Sequence, residues 1–214
     1  MTPPELPFGF ETAILEEAVR SPSVAMMRLS IEVDRQLRLI LAATGQLYKY
    51  TGQSPDEALR LIAELMTVPE ALRGTLETFW NLRNDVVHGH VSQHLTIRAV
   101  DYGLRILKML HSIPRRSYIV TDSTIRLFSD PEGKSIRADV HGVTIKTLGP
   151  HGGVEHIRVH PTRREYLSGQ NVSWEWALRG PGWGETWYES MPFGTVTFAW
   201  SASLEFIGRP LEEI

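Results

Sequence analysis

Thr75–His90, TLETFWNLRNDVVHGH, is the stretch whose reading decides the fold of the first half of the chain. Wound at about 100° per residue, it puts Leu76, Phe79, Trp80, Leu82, Val86 and Val87 on one broad arc. Glu77, Asn81, Asn84 and His88 form a narrow stripe opposite, flanked by Thr78 and Asp85. This is an amphipathic helix running into Gly89 as its C′ stop, with His88 favoured there by the helix dipole. One residue breaks the pattern. Arg83 falls in the middle of the apolar arc, and a guanidinium keeps its charge at any physiological pH. It needs an acidic partner inside the fold, or the arc must face another subunit or a ligand. The plainer structural alternatives are a guanidinium that snorkels to water or a buried ion pair that only organises packing.

Working outward, the neighbouring segments are also helical. The spacing of Met26, Leu29, Val33, Leu37 and Ile40 predicts a helix over Pro22–Ala43. Glu32 and Asp34 stand on opposite shoulders of its apolar face and are the candidate partners of Arg83; the alternative is pairing with Arg28, Arg35 or Arg38 on their own helix. Ser54-Pro55-Asp56-Glu57 reads as a capping box, and Thr67-Val68-Pro69 opens the helix that carries the central stretch. A short helix over Glu11–Arg20 precedes these, and another over His94–Ser112 follows, with Met1–Gly9 an extended arm. Joined by short loops, they are expected to form an antiparallel helical bundle over residues 1–114.

After Pro114-Arg115-Arg116 the period changes. Tyr118–Val120, Thr124–Phe128, Ser135–Val140, Val143–Leu148, Val154–His160, Val172–Leu178 and Thr195–Phe206 are runs of β-branched and aromatic residues separated by Gly, Pro, Asp and Asn. Val140-His141-Gly142-Val143 reads as a hairpin turn. The expected fold class is α+β: the helical domain, then a small antiparallel β sandwich or barrel over residues 115–214.

The chain has 214 residues, 22 Lys and Arg against 25 Asp and Glu, and a net charge of −3. That balance lacks the basic excess of a dedicated nucleic-acid binder, so any RNA site must be a local patch. There is no cysteine, which excludes disulfides and thiolate chemistry. No signal-peptide pattern or membrane-length apolar run is seen, so a cytoplasmic protein without a membrane partner is expected.

Arg83-Asn84-x-x-x-His88, on the penultimate helix of an all-helical half, resembles the Arg-x4–6-His signature of the HEPN (higher eukaryote and prokaryote nucleotide-binding) family. FWNLRNDVVHGH is similar to that family's usual phrasing, and Asn84 stands where Asn, Asp or His is common. The resemblance covers about the first half of the chain. It implies a metal-independent endoribonuclease of toxin or defence type, answerable to a protein antitoxin or regulator. His88 would be the base for a ribose 2′-OH, Arg83 the phosphate or transition-state residue, and Asn84 the orienting amide. It also implies a homodimer with a composite site, which answers a geometric difficulty: Arg83 and His88 are about 140° apart on one ideal helix. Many relatives keep the fold without cleaving, so the alternative is a non-catalytic dimerising or nucleotide- and RNA-binding module whose β domain recognises a ligand or partner.

Other constellations carry less. His88, His90 and His94 cross a helix end and lack a supporting carboxylate or Cys, so no metal site is expected. No cofactor motif is present either. His156 and His160 are expected on a solvated strand face. Arg163 and Arg164, with Arg158 and His160, make the one basic cluster of the β half and could guide a nucleic acid. Trp174, Trp176, Trp183, Trp187 and Tyr188 could offer a stacking platform, with Trp183 in the Gly180–Gly184 loop the best-placed, although core packing explains most of them.

Overall fold

The computed structural model describes residues 9–88, 93–180, 184–190, 194–199 and 203–214. Gly89, His90 and Trp183 lie outside these, as does the arm before Gly9. Helices come first and antiparallel strands follow. The chain divides into two compact units, one of Met1–Leu41 and Gln46–Pro114, the other of Ala42–Gly45 and Arg115–Ile214.

The first unit contains α1 (Phe10–Arg20), most of α2 (Pro22–Thr44), α3 (Pro55–Ala63), α4 (Glu70–Val87) and α5 (Gln93–Ser112). Met26, Leu29, Val33, Leu37 and Ile40 of α2 are fully buried, as their helical spacing requires. Gly103 of α5 shows how tightly the helices meet: a Cβ there would come within 2.9 Å of the Phe79 ring and 3.0 Å of Leu29. Ser54 caps α3 by accepting the Glu57 N–H at 3.2 Å. Glu57 does not close a capping box; its carboxylate instead takes the Thr51 N–H and hydroxyl.

Helix α4 buries Leu72, Leu76 and Phe79 and then opens. Trp80, Leu82, Arg83 and Val86 are half-buried, and Val87 is 52% exposed. The apolar arc is therefore core along its first turns and only partly covered where Arg83 stands.

The second unit holds β1 (Ser117–Ile125), β2 (Leu127–Phe128), β3 (His141–Leu148), β4 (Val154–Thr162), β5 (Asn171–Val172), β6 (Trp176–Leu178), β7 (Trp187–Ser190), β8 (Thr195–Phe198) and β9 (Leu204–Phe206). They form sheets ordered β4-β3-β1-β5, β2-β7-β8 and β6-β9, and no closed barrel is formed among the described strands. Alternate residues Tyr118 and Val120, and Val143 and Ile145, point into one core with Val172, Tyr166 and Phe206. The last turn of α2 belongs to this unit: the Ala42 carbonyl, at the helix end, accepts the Trp174 N–H at 2.9 Å as well as the Gly45 N–H at 3.3 Å, and the Ala43 carbonyl accepts the Tyr118 hydroxyl at 3.2 Å.

Two expectations for this half are corrected. Val140–Val143 is not a turn; His141–Leu148 is one strand, paired with β1 and β4. Gly142 is there for space, since a Cβ would lie 2.8 Å from Val159 and 2.9 Å from Ile125. Ser135–Val140 is not a strand and makes only a single bridge, Phe128 to Ile136.

Candidate functional site

The end of α4 brings Arg83, Asn84 and His88 within two turns. Asn84 and His88 are exposed and Arg83 is half-buried. His88 is the C-cap, its backbone N–H donating to the Asn84 carbonyl at 3.0 Å. Arg83 Nη1 donates to Asn84 Oδ1 at 3.1 Å. Arg83 Nε is shielded from solvent and has no hydrogen-bond partner among the described residues. Among the described residues the guanidinium thus meets one neutral amide and no carboxylate.

Neither expected partner reaches it. Glu32 accepts from Arg35 Nε at 2.9 Å and Nη2 at 2.8 Å, and from Gln36 at 2.8 Å. Burial pushes its carboxyl up, but the hydrogen bonds from Arg35 and Gln36 outweigh this and hold it below the usual range. Asp34 accepts from Arg38 at 2.7 Å and from the Tyr50 hydroxyl at 3.3 Å. The reason is local: residues three and four apart on one helix meet without ordering a second element.

One turn upstream, α4 forms the wall of a groove of about 390 Å³ against the start of α3. Leu76 is its floor, and Arg73, Glu77, Trp80 and Asn81 line it, with Asp56 across from them. Arg73 and Asp56 form an exposed pair at 3.7 Å. The Trp80 ring is held edge-on to Phe79, with centroids 5.6 Å apart. This groove was not anticipated from sequence. Arg73, Glu77 and Asn81 repeat every four residues and mark a polar stripe, but a stripe does not show what lies across from it, and Trp80 at the edge of the apolar arc reads as core.

In the β unit the basic cluster disperses. Arg163 pairs with Asp139 at 3.6 Å, and its backbone N–H donates to Glu205 Oε1 at 2.8 Å. The Arg164 N–H donates to Thr162 Oγ1 at 3.0 Å, and its carbonyl meets His141 Nε2 at 3.0 Å. His160 is not on a solvated face. It is 1% exposed, with ring centroids 5.0 Å from Trp176, 5.7 Å from Trp174 and 5.8 Å from Phe206. Burial, with Arg158 and His156 adding positive charge, lowers its pKa to about 3. The bulky apolar faces of Trp174 and Trp176 fold over the strand and take in its polar side. Glu175, also buried, accepts from Arg209 Nε and Nη2, each at 3.0 Å. Glu205 is bonded by Arg179 as well as by Arg163. A second groove, of about 550 Å³, is lined by Ser123, Thr124, His141, Glu165, Tyr166 and Gln170.

No protein-family model, no curated protein and no solved structure matches the chain. Among the described residues, no helix is long and apolar enough to cross a membrane.

Proposed function

We propose that the chain is a HEPN-type, metal-independent endoribonuclease. Its helices would form the family's antiparallel bundle, with a β sandwich appended. The observation that carries this reading is Arg83: a half-buried guanidinium with no carboxylate partner among the described residues, steadied by Asn84, at the helix end that also bears His88. A cation held this way is matched to an incoming phosphate. The partly covered arc around it, with Val86 and Val87, suits a second copy of the chain, which would bring two arginines and two histidines to one cleft.

In the proposed reaction one imidazole removes the ribose 2′-hydroxyl proton. The 2′ oxygen attacks phosphorus, the bond to the 5′ oxygen breaks, and that oxygen takes a proton from the second imidazole, which enters the cycle as imidazolium. The products are a 2′,3′-cyclic phosphate and a 5′-hydroxyl. Arg83 stabilises the added charge on the phosphoryl oxygens. The test is RNA cleavage in EDTA by wild type, His88→Ala and Arg83→Ala at matched circular dichroism. Cyclic-phosphate products from wild type, lost in both variants, support the reading; an intact RNA panel with wild type rejects it.

A second reading is favoured by the β-unit groove. A non-catalytic module could dimerise through its helices and take a polar ligand beside His141 and Glu165. Ligand-induced shifts of the His141 resonances without RNA cleavage would select it.

A further inference from the structure

We infer that the groove between α3 and α4 is a guanine subsite for the RNA strand handled at the end of the same helix, an inference that rests on the ribonuclease reading. Its volume of about 390 Å³ is within the range of small-ligand sites. What lines it is more selective than its size. Trp80 is half-buried and supplies an aromatic wall. Glu77 and Asn81, one turn apart on α4, are exposed, and their side chains make no hydrogen bond among the described residues. One apolar plate and two unspent polar groups side by side are the parts used to read an unstacked base: the face stacks and the edge is hydrogen-bonded.

The polar groups decide which base. A carboxylate only accepts hydrogen bonds, while an amide both donates and accepts. Guanine alone presents two adjacent donors, N1–H and the N2 amino group, beside the O6 acceptor. Glu77 can take both donors and Asn81 can donate to O6. Adenine would turn its N1 lone pair toward the carboxylate, uracil one carbonyl oxygen, and cytosine its N3 and O2, so the same group that binds guanine repels the others. The loose, exposed Arg73–Asp56 pair leaves Arg73 able to turn to the nucleotide's phosphate. From Trp80 to Arg83 the helix rises about 4.5 Å. A guanine held at Trp80 would therefore lie about one nucleotide from the phosphate at Arg83.

Calorimetric titration of the full chain with guanosine, adenosine, cytidine and uridine 5′-monophosphates tests this without cleavage. GMP should bind at least about tenfold tighter than the other three. Trp80→Ala should weaken GMP binding by about tenfold or more, and Trp80→Phe should stay within about threefold of wild type. Glu77→Gln should keep nucleotide binding but erase the preference for guanine over adenine. Equal binding of all four nucleotides, no GMP binding, or wild-type affinity in Trp80→Ala overturns the subsite. The two readings fail separately. A chain that cuts RNA without GMP binding loses only the subsite. A chain that binds GMP through Trp80 and Glu77 but cuts no RNA loses only the ribonuclease.

Discussion

Arg83 at the end of α4 and Arg209 in the β unit are both partly buried guanidiniums, and their surroundings treat them in opposite ways. Arg209 is gripped by both oxygens of a buried carboxylate, Glu175. Burial alone would raise the pKa of Glu175, but the hydrogen bonds from Arg209 and Ser173 outweigh it, so the carboxyl is held low. Arg83 has an amide on one nitrogen and, among the described residues, nothing on its sheltered Nε. A charge that is fully answered inside the chain is spent on structure. One left half-answered, where the covering side chains thin out, is available to an anion from outside.

The sharpest way to break this contrast is to delete each charge. Arg83→Ala should lower RNA cleavage by at least about 100-fold while changing stability by less than about 0.5 kcal/mol, because no carboxylate loses its partner. His88→Ala should cost about 10²–10⁴-fold in rate. Single-turnover cleavage with urea unfolding on the same preparations reads both quantities. An Arg83→Ala protein destabilised by several kcal/mol would mean that this guanidinium is structural after all.

The opposite outcome is expected for Glu175→Gln. The buried site would lose its charge while Arg209 keeps its own, so unfolding of the β unit should become easier by about 2–3 kcal/mol, the lower end reflecting the 40% exposure of the Arg209 side chain. RNA cleavage at the helix end should be unaffected. Urea midpoints from tryptophan fluorescence would show it, and a neutral result would remove the structural half of the contrast.

Histidines repeat the comparison in another form. His88 is exposed at the helix cap, whereas His160 is enclosed by Trp174, Trp176 and Phe206 with a pKa near 3. As pH falls below about 6.5, the unfolded chain takes up a proton that the folded chain refuses at His160 until about pH 3. Stability should fall across that window by up to about 1.4 kcal/mol per pH unit from this residue. His160→Phe removes the term and leaves the carboxylates in place. The difference between wild-type and variant stability, measured from pH 7 to pH 5, should therefore slope in the variant's favour by about 2 kcal/mol; parallel curves would show that His160 protonates freely in the fold.

How much of this was legible follows from what each pattern encodes. Helix α2 could be read because Met26, Leu29, Val33, Leu37 and Ile40 repeat along one face, and all are buried. The anomaly at Arg83 could be read because one charge in an apolar arc stands out. Its partners could not, since Glu32 and Asp34 had cations within a turn of their own helix, and local pairing wins over a contact that needs another element. The β half was harder. Gly142 suggests a turn by composition, and only the approach of Val159 and Ile125 shows that it is a strand residue needing room. His160 reads as polar, and its burial depends on Trp174 and Trp176, which arrive from a segment beyond the strand. The groove beside Trp80 needed the start of α3 to lie across from α4, and no periodicity along one helix contains that information.

The smallest effect predicted is a null one, and it bears on the contrast most directly. If Glu32 belongs to Arg35 and Gln36, then Glu32→Gln and Arg83→Ala should act independently. A double-mutant cycle on unfolding free energy should give an interaction below about 0.5 kcal/mol, the ordinary additivity limit for residues with no shared partner. Glu32→Gln alone should cost about 0.5 kcal/mol or less, since Arg35 is exposed and a side-chain amide can keep one of its hydrogen bonds. A coupling above about 1 kcal/mol would put this carboxylate back against Arg83. The guanidinium would then be answered within its own chain, like Arg209, and the strongest reason for assigning it to a phosphate would be gone.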